Sequence, residues 1–185
     1  MSRSTQRISR RAVAVLLTIG PLHTFGVAAA ADGGRVDELK AAYLFNFAKL
    51  VEWPATTAAD SLTICFVGAQ GVHAAFARTV GDKPVGARRI VVKPMLAPAE
   101  SRAGCDVVYL DAAMAGGSQP IESSVPALTV SDAQDFAAHG GMIELFPEGN
   151  RLRFNINLPS AQRAGLRISS SLLQLAARVE KGGER

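Results

Sequence analysis

The sequence predicts one α/β domain: a mixed, mostly parallel sheet with flanking helices, a C-terminal antiparallel hairpin and a C-terminal helix. Three observations carry this reading. Short apolar runs rich in strand formers, at 62–67, 88–93, 106–111 and 127–131, are separated by stretches long enough for helices or crossover loops, as parallel strands require. After Gly140-Gly141 the pattern changes to two strand-like runs joined by Pro147-Glu-Gly-Asn150, which has the chemistry of a tight turn. A chain of 185 residues, 48% of them hydrophobic, suits a single domain with a real core once its first thirty residues are set aside.

Those residues, 1–30, read as a cleavable export signal. Arg3, Arg7, Arg10 and Arg11 precede the apolar run Ala12 to Ile19, and Gly20-Pro21 breaks that run. Val27 to Ala31 supplies the small-x-small pattern that signal peptidase requires, which places cleavage after Ala30. An uncleaved membrane anchor competes with this, because residues 12–31 are mostly apolar over about the twenty positions that span a bilayer. Pro21, His23 and the short apolar core weigh against it. Ser9-Arg10-Arg11 leaves both the general secretory and the twin-arginine route open, and no cysteine lies near the cleavage region to take a lipid. The four arginines account for the whole formal charge of +4, so residues 31–185 carry equal numbers of acidic and basic groups. Without a basic excess nothing points to nucleic acid or an anionic surface. The expected layout is a domain over 31–181 and a frayed tail over 182–185.

Within that domain Val36, Leu39, Tyr43, Phe47 and Leu50 recur at helical spacing, with Leu44, Ala48 and Val51 as a second apolar stripe beside them. Such a helix is mostly buried or faces a partner. Asp37 and Glu38 suit its first turn through the helix dipole, and Trp53-Pro54 stops it, because proline disfavours helical conformation in the residue before it. Leu62 to Val67 reads as a strand buried on both faces. Val72, Phe76 and Val80 form a helix that stops at Gly81, and a short helix is expected around 97–103. In the second run of the hairpin Leu152, Phe154 and Ile156 alternate with Arg153, Asn155 and Asn157, so one face is buried and the other polar. The stripe Ile168, Leu172, Leu175, Ala176 and Val179 predicts a final helix over 168–179, capped by Ser169 or a neighbouring serine.

Catalytic chemistry finds little footing. Outside the signal the histidines are His73 and His139, with no Gly-x-Ser-x-Gly elbow for either to serve. Two distant histidines make no metal site, and neither phosphate-cradling glycine motif occurs. Asp132 and Asp135 fall in what reads as a short solvated turn without a catalytic task. The expectation is therefore no enzyme, no metal and no cofactor. Cys65 and Cys105 in an exported chain read as a bridge, with two buried free thiols as the alternative. Three segments combine apolar anchors with amides, hydroxyls or charge: Tyr43 to Pro54, Phe154 to Asn157, and Ala164 to Leu173. They nominate Asn46, Trp53, Asn155, Asn157, Arg167, Ser169 and Ser170 as partner- or ligand-binding residues, since aromatic and arginine anchors carry most interface energy. Structural duty is the competing reading: asparagines satisfying strand-edge backbone groups, and Trp53 ending the first helix inside the core.

At these same segments the chain resembles the YfiR-like family of small exported bacterial proteins. The resemblance is carried by Phe47-Ala-Lys-Leu-Val-Glu-Trp-Pro54, Ile64-Cys-Phe-Val-Gly68, Cys105 before Val107-Val-Tyr-Leu110, Leu128-Thr-Val-Ser-Asp132, Gly140-Gly-Met-Ile143, Phe154-Asn-Ile-Asn157 and Gly165-Leu-Arg-Ile-Ser-Ser170 with Leu172-Leu173. It implies a periplasmic regulator that binds the periplasmic part of an inner-membrane signalling protein, a diguanylate cyclase or sensor kinase, and holds it inactive. An outer-membrane or envelope activator then relieves the hold, and a homodimer is left open. It also implies a Cys65–Cys105 disulfide, whereas a second cysteine pair found near the hairpin in some members has no counterpart in Glu144 to Arg153. The rival expectation is a small-ligand sensor feeding a membrane signalling protein or transporter. Its pocket would lie between the hairpin and the first helix, contacted by Trp53, Asn155, Asn157 and Arg167.

Overall fold

In the computed structural model the described residues are 27–54, 60–81, 83–94, 104–115 and 126–182. Helix α1 (Val27–Leu50) runs into a two-residue strand, β1 (Val51–Glu52). There follow β2 (Ser61–Val67), α2 (Gln70–Thr79), β3 (Arg89–Val92), β4 (Val107–Leu110), α3 (Ala112–Ala115) and β5 (Leu128–Ser131). The hairpin of β6 (Ile143–Glu148) and β7 (Arg151–Asn157) comes next, then α4 (Leu158–Arg163), β8 (Arg167–Ile168), α5 (Ser170–Leu175) and β9 (Arg178–Glu180). Seven strands form one sheet in the order β3-β2-β4-β5-β6-β7-β9, and β1 pairs with β8 apart from it. Every neighbouring pair in the large sheet is parallel except the hairpin β6–β7. The predicted α/β class, mostly parallel sheet, hairpin and C-terminal helix are all present.

Strand alternation sorts the side chains onto two faces. On the first lie Leu62, Ile64, Phe66, Val107, Tyr109, Leu128, Val130, Ile143, Leu145, Leu152, Phe154 and Ile156, packed with Leu44, Phe47 and Ala48 of α1, Val51 of β1 and Val72 and Phe76 of α2. Aromatic contacts lock this layer: Phe154 meets Phe47 at 5.1 Å and Tyr43 at 5.8 Å between ring centroids. The Tyr43 hydroxyl also donates to the Leu152 carbonyl at 2.7 Å. The second face holds a smaller cluster of Cys65, Val67, Val108 and Leu110 with Cys105, Ala127, Ala133 and Phe136. There a disulfide joins Cys65 to Cys105, forty residues apart in sequence.

Towards β5, β6 and β7 the second face turns polar and holds the 132–141 turn by hydrogen bonds. Ser131 Oγ accepts from the Ala133 amide, and the Glu144 carboxylate accepts from the amides of Asp135 and Ala137. Asn157 Nδ2 donates to the Ala137 carbonyl at 2.7 Å. The turn is therefore anchored rather than solvated, as the sequence had suggested: Ala133, Phe136 and Ala137 are buried, and Asp132 is paired with Lys40 of α1 at 2.6 Å. Gly141 is required here, because any Cβ would strike the Phe136 ring.

Several boundaries differ from expectation. The final helix stops at Leu175, and residues 178–180 extend along the free edge of β7, where the Ala177 amide bonds to the Phe154 carbonyl. Helix α1 begins upstream of Asp37, whose carboxylate packs against Gly71 at the start of α2 and so meets that helix's dipole instead. Val36 and Leu39 are 45% and 43% exposed, so the buried stripe of α1 is Ala41, Leu44, Phe47 and Ala48, continued by Val51 of β1. The expected helix at 97–103 lies outside the described residues, as do residues 1–26 of the expected export signal and residues 183–185 of the tail.

Candidate functional site

The nominated residues gather mainly at the C-terminal end of α1. Leu50 ends the helix and its carbonyl accepts from the Ser169 amide at 3.1 Å. The next two residues pair antiparallel with β8, Val51 opposite Ile168 and Glu52 opposite Arg167. Local chemistry dictates this corner. Asn157 caps α4, with Pro159 in its first turn, and Gly165, at φ +75°, turns the chain out of it. Leu166 is fully buried, β8 follows, and Ser169 Oγ caps α5 by accepting from the Leu172 amide at 3.2 Å. Ser170 lies beside it, exposed, at the first position of α5.

Trp53 follows β1 directly and packs half-buried against the first-face core. Its indole Nε1 is buried and has no hydrogen-bond partner among the described residues. The Arg88 guanidinium stands 6.0 Å from the Trp53 ring centroid, within cation–π reach. Arg88 is itself fixed by the Ser61 carbonyl at 2.8 Å and by Asp106 at 3.4 Å. Arg167 contrasts with it: its contact with Glu52 is 3.6 Å long and the two side chains are 84% and 67% exposed, so the pair contributes little to stability and both charges stay available. Asn46 is exposed on α1 one turn before its end. Arg167 and Ser169 thus lie against the end of α1 and β1, Ser170 follows them, and Trp53 with Arg88 stands one residue beyond Glu52.

Asn155 and Asn157 do not join it. Both face away from the layer where Phe154 meets α1, and Asn157 is buried with both ends of its amide engaged, to the Ala137 carbonyl and the Ser160 amide. Asn155 stands half-buried between Glu144 and Arg178 in the strand register.

A groove does lie between the first helix and the hairpin, with a volume of about 780 Å³. None of Trp53, Asn155, Asn157 or Arg167 lines it; its walls come from residues 33–39 and 147–152. A concavity is thus present between hairpin and first helix, walled by other residues than those expected. Glu144, a carboxylate inside the apolar run 142–146 and for that reason a visible signal, was not among the nominated residues, nor was Arg88, which nothing in the pattern sets apart from Arg89.

No reactive constellation accompanies these surfaces. Among the described residues no group of acidic, histidine or cysteine side chains could hold a metal ion. His73 stacks edge-on to Phe66, and the exposed His139 contacts the Asp135 carbonyl. The one strongly perturbed group is Tyr109, whose hydroxyl is pushed well above the usual tyrosine value by burial and then by the neighbouring Asp132 carboxylate. It points into the protein and serves packing. No helix among the described residues is long and apolar enough to cross a membrane. Residues 37–177 match the family described as DUF4154, YfiR/HmsC-like, a span that includes both strands of the α1 corner and every strand of the large sheet except β9. With that match extending over most of its length, the chain belongs to the YfiR/HmsC-like family of regulatory proteins.

Proposed function

We propose that this protein is a periplasmic regulator that restrains an inner-membrane diguanylate cyclase by binding the cyclase's periplasmic domain through the α1 corner. The observation that carries this reading is Trp53: a buried indole N–H with no acceptor among the described residues, with the fixed Arg88 over its ring and the exposed Arg167 opposite the preceding residue Glu52. A buried donor left unpaired costs about 1–3 kcal/mol, a cost that an acceptor on a partner would remove. Tryptophan and arginine are also the side chains that most often dominate binding energy. Family membership supports the regulatory role, and the export signal over 1–30 with cleavage near Ala30 supports the compartment.

The test is capture. Crosslinking in intact cells followed by purification should recover a membrane cyclase, and adding the purified protein to membranes with an accessible periplasmic face should lower cyclic di-GMP synthesis. Trp53→Ala and Arg167→Glu should abolish both effects while the melting curve stays within a few degrees of the parent. Recovery of no membrane protein, together with a small molecule that raises the melting temperature, overturns this reading in favour of a ligand sensor.

A further inference from the structure

The groove at the opposite end of α1 has a chemical character of its own. Val36 and Leu39 lie one turn apart on the helix and are the exposed apolar residues of that end, and Leu152 and Pro147 face them from the hairpin. The two walls are fixed to one another by the Tyr43 hydroxyl bonded to the Leu152 carbonyl, so the concavity exists before anything enters it. Arg35 contributes to the helix wall and Arg151 to the hairpin wall, and among the described residues no carboxylate lines the groove. Of the other acids on these elements, Glu148 is paired with Arg153 at 3.1 Å, Asp132 holds Lys40, and Glu38 makes a long, exposed contact with Arg78 at 3.6 Å. Neither Arg35 nor Arg151 makes a side-chain hydrogen bond or ion pair among the described residues.

We propose that this groove docks an acidic amphipathic segment of a partner polypeptide, its apolar side chains on Val36, Leu39 and Leu152 and its carboxylates facing Arg35 and Arg151. Charge complementarity selects the occupant. The chain's own N-terminal segment carries four arginines and no acid over residues 1–30 and would be repelled. The two guanidiniums are set on different elements, and a segment with several carboxylates can meet both. The surface is separate from the Trp53 corner and stands whether or not that corner holds a cyclase. Rim charges of this kind act on encounter and salt dependence, while the apolar anchors govern residence.

The experiment uses residues 31–185 with two blocked peptides of matched length, one with Leu at helical spacing and Glu between, the other with Lys in place of Glu. The Glu peptide should bind, shift the amide resonances of residues 35–39 and 147–152, and weaken as salt is raised; the Lys peptide should not bind. The double variant Arg35→Glu, Arg151→Glu should lose affinity by about tenfold or more and gain the Lys peptide. Leu39→Ala should weaken binding without altering its salt dependence. Equal binding of both peptides, shifts that map away from these residues, or indifference to the charge reversal overturns the proposal. Two further results overturn it as well: dodecanoate binding in place of the peptide, which marks a lipid site, and self-association through the groove, which marks a second copy.

Discussion

On one face of the seven-stranded sheet Phe47, Phe66, Phe76 and Phe154 interlock beneath α1 and α2, and large side chains exclude water by packing. On the other face, among the described residues, Cys65, Val67, Val108 and Leu110 meet a covalent bridge at one end, and Ser131, Glu144 and Asn157 grip a turn by hydrogen bonds at the other. The first face draws its stability from buried area, which is roughly proportional to apolar surface and tolerant of detail. The second draws it from a few specific bonds, each of which matters singly. Stability of the two faces should therefore respond to different insults.

The largest effect is expected from the packed face. Phe154→Ala removes the ring that joins Tyr43 and Phe47 and should cost about 3–5 kcal/mol, measured by urea unfolding. Reduction of the Cys65–Cys105 bridge, or Cys105→Ser, should cost up to about 4 kcal/mol from loop closure. The loss should be concentrated on the second face, read as faster amide exchange in β4 and the 132–141 turn than in β7. Uniform exchange in all strands would break the contrast between the faces. Asn157→Ala removes both the α4 cap and the hold on Ala137 and should cost about 1–3 kcal/mol. An unchanged stability with impaired partner binding would instead return Asn157 to the recognition surface. The smallest effect belongs to Tyr109. Its hydroxyl stays protonated in the folded protein well above the usual tyrosine value, so its contribution is complete below pH 10 and declines as pH rises, because the unfolded chain then gives up that proton and the folded one does not. Stability between pH 9 and pH 11 should fall less in Tyr109→Phe than in the parent.

The sequence made the sheet legible because strands buried on both faces leave continuous apolar runs, as in Leu62 to Val67 and Val107 to Leu110. The hairpin was legible from the alternation Leu152, Phe154, Ile156. What escaped was decided by tertiary pairing. Arg178 to Glu180 has the spacing of a helix end, yet the open edge of β7 offers backbone partners that a short helix cannot match. Val51-Glu52 and Arg167-Ile168 become strands because they meet one another, which no local window records. The α1 corner was half legible. Trp53, Arg167 and Ser169 were named from their chemistry and the structure sets them about the end of α1 and β1, but period-two geometry alone could not say that Asn157 would be consumed inside, since a polar residue facing a buried turn and one facing water look alike in sequence.

Tyr43 of α1 and Leu152 of β7 are bonded across 109 residues of sequence. Chains are made, and if exported are threaded, from the N-terminus, so α1 leaves the ribosome or the translocation pore long before the strand that covers it. α2 and β2 follow soon after and can cover part of its apolar stripe, but the Tyr43 and Phe47 rings wait for Phe154. Contacts of such long range slow folding and leave apolar surface open to aggregation. A truncation before residue 152 leaves those two rings without that cover.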